Sequence, residues 1–178
     1  LTNNFNMPYL SANVSEFWRR WHISLSTWLR DYLYKPLGGN RGTAWQTRRN
    51  LLVTMLLGGL WHGAAWTFVL WGLFQGVLLI LYRPFEPAFA ALAAARGAGA
   101  AARRFAAWFV MFHLTCYGWL IFRAPSFGKL REMTGSLFLN FAPGAVDVTG
   151  GLVPFLPYTT RLPGVHRVGA RADDVPLV

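Results

Sequence analysis

The sequence is 178 residues long, with hydrophobic residues at 54%, charged residues at 13% and a formal net charge of +10. That charged share is about half the roughly 25% of ordinary soluble domains, which excludes a disordered or strongly solvated chain. Nine Trp and fourteen Phe beside long uncharged runs place the 17 Lys and Arg where membrane meets water, so membrane lipid is the expected partner and nucleic acid is not.

The single cysteine, Cys116, excludes an intramolecular disulfide and a cysteine-built zinc site. The Asp, Glu and His residues are too scattered for a recognisable ligand spacing, and no metal is expected. The chain begins at Leu1 with no signal-peptide pattern, so its start reads as internal.

Residues 14–34, VSEFWRRWHISLSTWLRDYLY, predict one amphipathic helix, with Asn13 as N-cap and Glu16 three residues on. Turning about 100° per residue gathers Phe17, Trp18, Trp21, Leu25, Trp28, Leu29, Tyr32 and Leu33 on one face, with Arg19, Arg20 and Arg30 opposite. Tryptophans facing arginines suit a helix lying at the membrane interface; a core-facing helix of a soluble bundle is the alternative. Pro36 ends the helix, and LGGNRG (37–42) with Arg48 and Arg49 forms a basic glycine-containing loop. The loop matches neither the P-loop nor the dinucleotide fingerprint, so a turn at anionic headgroups is the reading.

Residues 51–82 hold no Asp, Glu, Lys or Arg, which is more than the ~20 residues a spanning helix needs. The run is too long for one upright crossing, and arginines on both sides disfavour a single pass. A short re-entrant piece broken at Gly58, Gly59 and Gly63, then a span from about Ala64 to Tyr82, resolves the conflict. Gly72 and Gly76 make a G-x-x-x-G that can pack helices. Pro84 and Pro87 stop the span, and the alanine-dominated stretch 88–107 reads as a connector. Residues 105–122 form a second uncharged run long enough to cross, and from 142 on the Pro-, Gly- and Arg-rich sequence reads as an irregular tail, outside the native pattern. The expected fold class is all-α: a piece of a polytopic integral membrane protein with an interfacial amphipathic helix and at least two transmembrane segments.

Polar or ionisable groups inside apolar runs are costly in lipid, so each is a functional candidate. The sharpest is His62 in GGLWHGAAW, ringed by small residues that leave room for a substrate. An imidazole with pKa near ~6.5 can accept a hydroxyl proton near neutral pH; the structural alternative is a ring bonded to a neighbouring carbonyl. His22 and Ser26 stand one turn apart, a spacing that supplies neither an orienting acid nor an oxyanion hole. His113, between Phe112 and Leu114, reads as a packing histidine.

WRRWHISLSTWLRDYLYKPLGGNR (18–41), followed by RNLLVTMLLGGLWHGAAWTFVLWGLFQG (49–76), closely resembles the membrane-bound O-acyltransferase family. Within it the likeness is to bacterial members of the alginate O-acetylation and D-alanyl-lipoteichoic acid type, and CYGWLIFRAPSF (116–127) resembles that subgroup's next helix and turn. The resemblance covers about residues 5–139 and implies a partial acyltransferase domain over 1–141. It implies His62 as the catalytic residue, His22 as its assistant, and Trp61, Gly63, Arg41 and Trp21 along the reaction tunnel or donor site. It further implies a cytoplasmic thioester donor (acetyl-CoA or an acyl carrier protein), no bound cofactor, and a hydroxyl acceptor on a cell-surface polysaccharide. A periplasmic SGNH-type acetyltransferase partner and a multi-pass location in the bacterial inner membrane belong to the same expectation. Family members are far longer, so this piece alone is expected to be inactive. The competing reading is a conduit or scaffold subunit that does no chemistry.

Overall fold

The computed structural model describes residues 3–139, and every regular element among them is helical. The irregular tail expected from 142 lies outside the described residues.

In place of one helix over 14–34 there are two, α1 (Val14–Arg20) and α2 (Ile23–Leu29), followed by a wider turn over Arg30–Tyr34 in which Lys35 N–H reaches back to Arg30 O at 2.9 Å. Asn13 caps α1 as expected: its side chain accepts from Glu16 N–H at 2.8 Å, while Glu16 accepts from Ala12 N–H at 3.0 Å. The break falls at His22, whose φ of 41° lies in the left-handed region. What holds it there comes from outside the helix. Asn4 accepts from Ile23 N–H through its carbonyl and from Ser24 N–H through its side chain, both at 3.0 Å, and Asn6 N–H donates to Arg20 O at 2.9 Å. Donors left orphaned at the start of α2 are thereby satisfied from residue 4.

The helix α3 (Ala44–Trp61) starts earlier than the uncharged run suggested. A full capping box starts it, Thr43 accepting from Gln46 N–H and the Gln46 side chain accepting from Thr43 N–H. Gly58 and Gly59 stay helical; the break is at residues 62–65, with Gly63 at φ 148°, and α4 (Trp66–Tyr82) runs back antiparallel against α3. The glycines permit backbone-to-backbone contact. A Cβ on Gly59 would lie 2.3 Å from Phe68 O, and one on Gly76 would lie 3.3 Å from Leu52 Cα. The expected packing role of Gly72 and Gly76 is therefore met, with α3 as the partner.

The stretch read as a connector is helical: α5 (Glu86–Ala94) has Pro87 in its first turn, and α6 (Ala98–Arg123) starts well before the expected 105. Alanine is the best helix former, and nothing in that segment breaks a helix except Gly97, at φ 98°. A seventh helix, α7 (Phe127–Phe138), is capped by Ser126, which accepts from Lys129 N–H at 3.2 Å. The α4-to-α5 stretch Trp66–Ala94 and α6 are long and apolar enough to cross a membrane. One core joins Trp71 of α4, Ile121 of α6 and Leu130 of α7; a second joins Val14 and Phe17 of α1 to Met111 of α6.

Candidate active site at the α3–α4 break

His62 ends α3. Its N–H donates to Gly59 O at 3.0 Å, so the ring stands where the chain leaves one helix before starting the next. Gly63 is required directly after it. At φ 148° a side chain would be strained, and a Cβ would sit 3.0 Å from the Phe68 ring.

Aromatic rings surround the half-buried imidazole: Trp61 at 5.0 Å between centroids, Phe122 at 5.0 Å, Trp71 at 5.4 Å and Phe68 at 6.1 Å. The Trp71 and Phe122 planes stand at 90° and 86° to it, the edge-to-face arrangement that aromatic quadrupoles favour. Trp71 is 3% exposed and stacks on Trp119, which in turn meets Trp21 at 4.6 Å. Trp21 is thus joined to the His62 neighbourhood through the rings of α4 and α6.

His22 stands at the α1–α2 break, next to Trp21, whose ring meets Trp119. Its Nδ1 is buried without a hydrogen-bond partner among the described residues. Left-handed backbone at a non-glycine residue is uncommon, and here it falls on the second motif histidine. Ser26 Oγ donates to Trp21 O at 2.9 Å, which closes the helix break and commits the hydroxyl to the backbone.

The remaining sequence candidates separate. Trp61 lies against His62 and is largely exposed. Arg41 is exposed in the glycine loop, where its N–H donates to Gly38 O at 3.0 Å. That loop is anchored by Asn50, 1% exposed, whose Nδ2 donates to Gly39 O at 3.2 Å and whose Oδ1 accepts from Arg49. The carbonyl bond that packing histidines adopt is made by His113, whose Nδ1 lies 2.8 Å from Phe109 O.

Sequence reasoning passed over Trp71 and Phe122. Both sit in uncharged, mostly apolar runs, and such runs carry little signal of which face turns toward the histidine. Asn50 was equally invisible, being one polar residue between a basic loop and an apolar helix.

The membrane-bound O-acyltransferase family model matches residues 2–122, which contain both histidines and all the rings around them. The chain belongs to this family and is a membrane protein. It is 52% identical over 135 residues to a protein of Azotobacter vinelandii called "Probable alginate O-acetylase AlgI", covering 76% of this chain and 25% of that one. It is 41% identical over 138 residues to the peptidoglycan O-acetyltransferase of Helicobacter pylori, covering 77% and 25%. It is 32% identical over 139 residues to the teichoic acid D-alanyltransferase of Bacillus subtilis, covering 70% and 33%. The chain thus spans about a quarter of the length of the first of these relatives.

Proposed function

We propose that the chain carries the reacting face of a membrane O-acyltransferase that moves an acyl group, acetyl by likeness to its relatives, onto a hydroxyl of a cell-surface polysaccharide. His62 is the general base. The hydroxyl oxygen attacks the thioester carbonyl carbon, His62 takes the hydroxyl proton, the carbon–sulfur bond breaks, and the departing thiolate receives a proton from the imidazolium. No acyl group passes through a side chain, so Ser26 and Cys116 have no covalent role. His22, at the α1–α2 break, orients or polarises one reactant.

One observation carries this reading: the motif histidine His62 stands at a helix break, half-buried, in a segment the family model matches, with Trp71 and Phe122 perpendicular to its ring. A cytoplasmic thioester, acetyl-CoA or an acyl carrier protein, is the donor in this proposal. The relatives named for alginate and peptidoglycan acetylation support a polysaccharide acceptor. A multi-pass placement in the bacterial inner membrane and a periplasmic SGNH-type partner complete the proposal, on likeness to the alginate type.

The test compares O-acetyl content of surface polysaccharide in cells carrying the complete gene, wild type against His62→Gln, at equal membrane abundance. Loss of acetyl groups in the variant is expected. Retained acetylation would make His62 a packing residue and favour a conduit or scaffold that does no chemistry.

A further inference from the structure

A histidine that cycles through its charged form ordinarily has a carboxylate or carbonyl behind it, which fixes the tautomer and stabilises the imidazolium. The four carboxylates of the described residues are engaged or placed elsewhere. Glu16 pairs with Arg20, Asp31 with Arg30 and Lys35, and Glu132 with Lys129, while Glu86 stands in the first turn of α5. What closes on His62 is aromatic: Trp71 from α4 and Phe122 from α6, perpendicular to it and with centroids within 5.4 Å.

We infer that Trp71 and Phe122 serve His62 in place of a carboxylate, as positioning residues that hold the imidazole plane and stabilise the imidazolium formed when it accepts a proton. This rests on the reading of His62 as base. A cation over the face of an aromatic ring, within about 6 Å of its centroid, is attracted by the ring quadrupole, most strongly where water is scarce. Both rings are themselves braced, Trp71 by stacking on Trp119 and Phe122 by Phe68 at 4.9 Å. Held this way, neither ring needs a hydrogen bond to keep its orientation, and the pair constrains His62 from two different helices.

Among the described residues, the rings packed on His62 are Trp61, Phe68, Trp71 and Phe122, and the second motif histidine, His22, stands at the α1–α2 break. The residues that α4 and α6 bring to His62, Phe68, Trp71 and Phe122, do not titrate, and Arg123, next in α6, is exposed. A substitution at Phe122 therefore alters the surroundings of the imidazole without removing a charge.

The experiment reads the ionisation of His62 directly. Membranes from cells expressing the complete gene are treated with diethyl pyrocarbonate across a pH series, and carbethoxylation of the His62 peptide is followed by mass spectrometry. Only the neutral imidazole reacts, so the midpoint of the rate reports its protonation. Phe122→Leu keeps the site apolar and removes the π face. The midpoint is expected to move to lower pH by roughly half to one unit, a three- to tenfold change in proton affinity. Phe122→Tyr should stay at the wild-type midpoint.

A Phe122→Leu midpoint that is unmoved or raised overturns the inference. Should that variant fail to reach the membrane, Trp71→Phe carries the test: a smaller shift in the same direction supports it, and none or a rise overturns it. The reading of His62 as base fails separately, on retained acetylation by His62→Gln, whatever the midpoints do.

Discussion

Gly72 of α4 lies directly against the backbone of Met55 in α3: a Cβ added to it would come 2.4 Å from the Met55 carbonyl oxygen. Real Cβ atoms do not approach a carbonyl so closely, so any side chain there must push the two helices apart. Gly72→Ala should destabilise the protein by about 1–3 kcal/mol, the usual cost of overpacking a close contact. Thermal unfolding in detergent would show it as a lowered Tm, with acyl transfer reduced through displacement of Trp71 from His62. An unchanged Tm would mean that the hairpin has slack its backbone contacts do not suggest.

Asn50 holds the glycine loop from below. It is buried, and its amide nitrogen donates to Gly39 O while its oxygen accepts from Arg49. Asn50→Asp should be worse than Asn50→Ala, because a carboxylate has no donor for the Gly39 carbonyl and sets two acceptors face to face. Leaving that buried carbonyl unpaired costs roughly 1–3 kcal/mol. Faster tryptic cleavage at Arg41 in both variants, with Asp the faster, is the expected readout.

His22 combines two demands at one position, a left-handed backbone and an imidazole. Glycine meets the first and not the second; valine meets neither. His22→Gly should therefore reach the membrane at near wild-type abundance and lose acyl transfer, whereas His22→Val should lose about 1–2 kcal/mol of stability as well. Full activity in His22→Gly would reduce the residue to a turn former.

The turn after α2 carries a half-exposed acid between two exposed bases. The hydrogen bonds from Arg30 and from Lys35 hold the Asp31 carboxyl well below its ordinary value of 3.8. A depressed folded-state pKa contributes stability that is present above the ordinary value and lost as the pH falls below it toward the folded-state value. Asp31→Asn should leave the Tm at neutral pH nearly unchanged, since exposed pairs contribute little, and should flatten its decline below about pH 4. A large loss at pH 7 would contradict this.

How far the sequence could be read depended on where each cause lay. The cap at Asn13 is written within four residues and was legible. The break at His22 was not, because α1 and α2 share one apolar periodicity and the hydrogen bonds that separate them come from Asn4 and Asn6. Alanine between 88 and 107 looked like filler because it has no amphipathic pattern, yet its helix propensity favours α5 and the start of α6, and Arg104 donates to Ala95 O at 2.6 Å to hold the two together. Gly58 and Gly59 looked like breakers and are instead contact surfaces, Gly58 for Leu29 and Gly59 for α4. At the site, the two histidines stood out by residue type and motif, whereas Phe122, sixty residues from His62, could be joined to it only by the fold.

The order in which those partners leave the ribosome has its own meaning. Chains are made from the N-terminus, so Asn4 is present before the break it pins at His22, and His62 emerges with only Trp61 of its four ring neighbours already made. Trp71 follows within nine residues. Phe122 comes last, at the far end of α6, so the wall facing α4 is missing until the second long apolar helix has been inserted. His62 thus gains the last of its four ring neighbours only once α6 is in place.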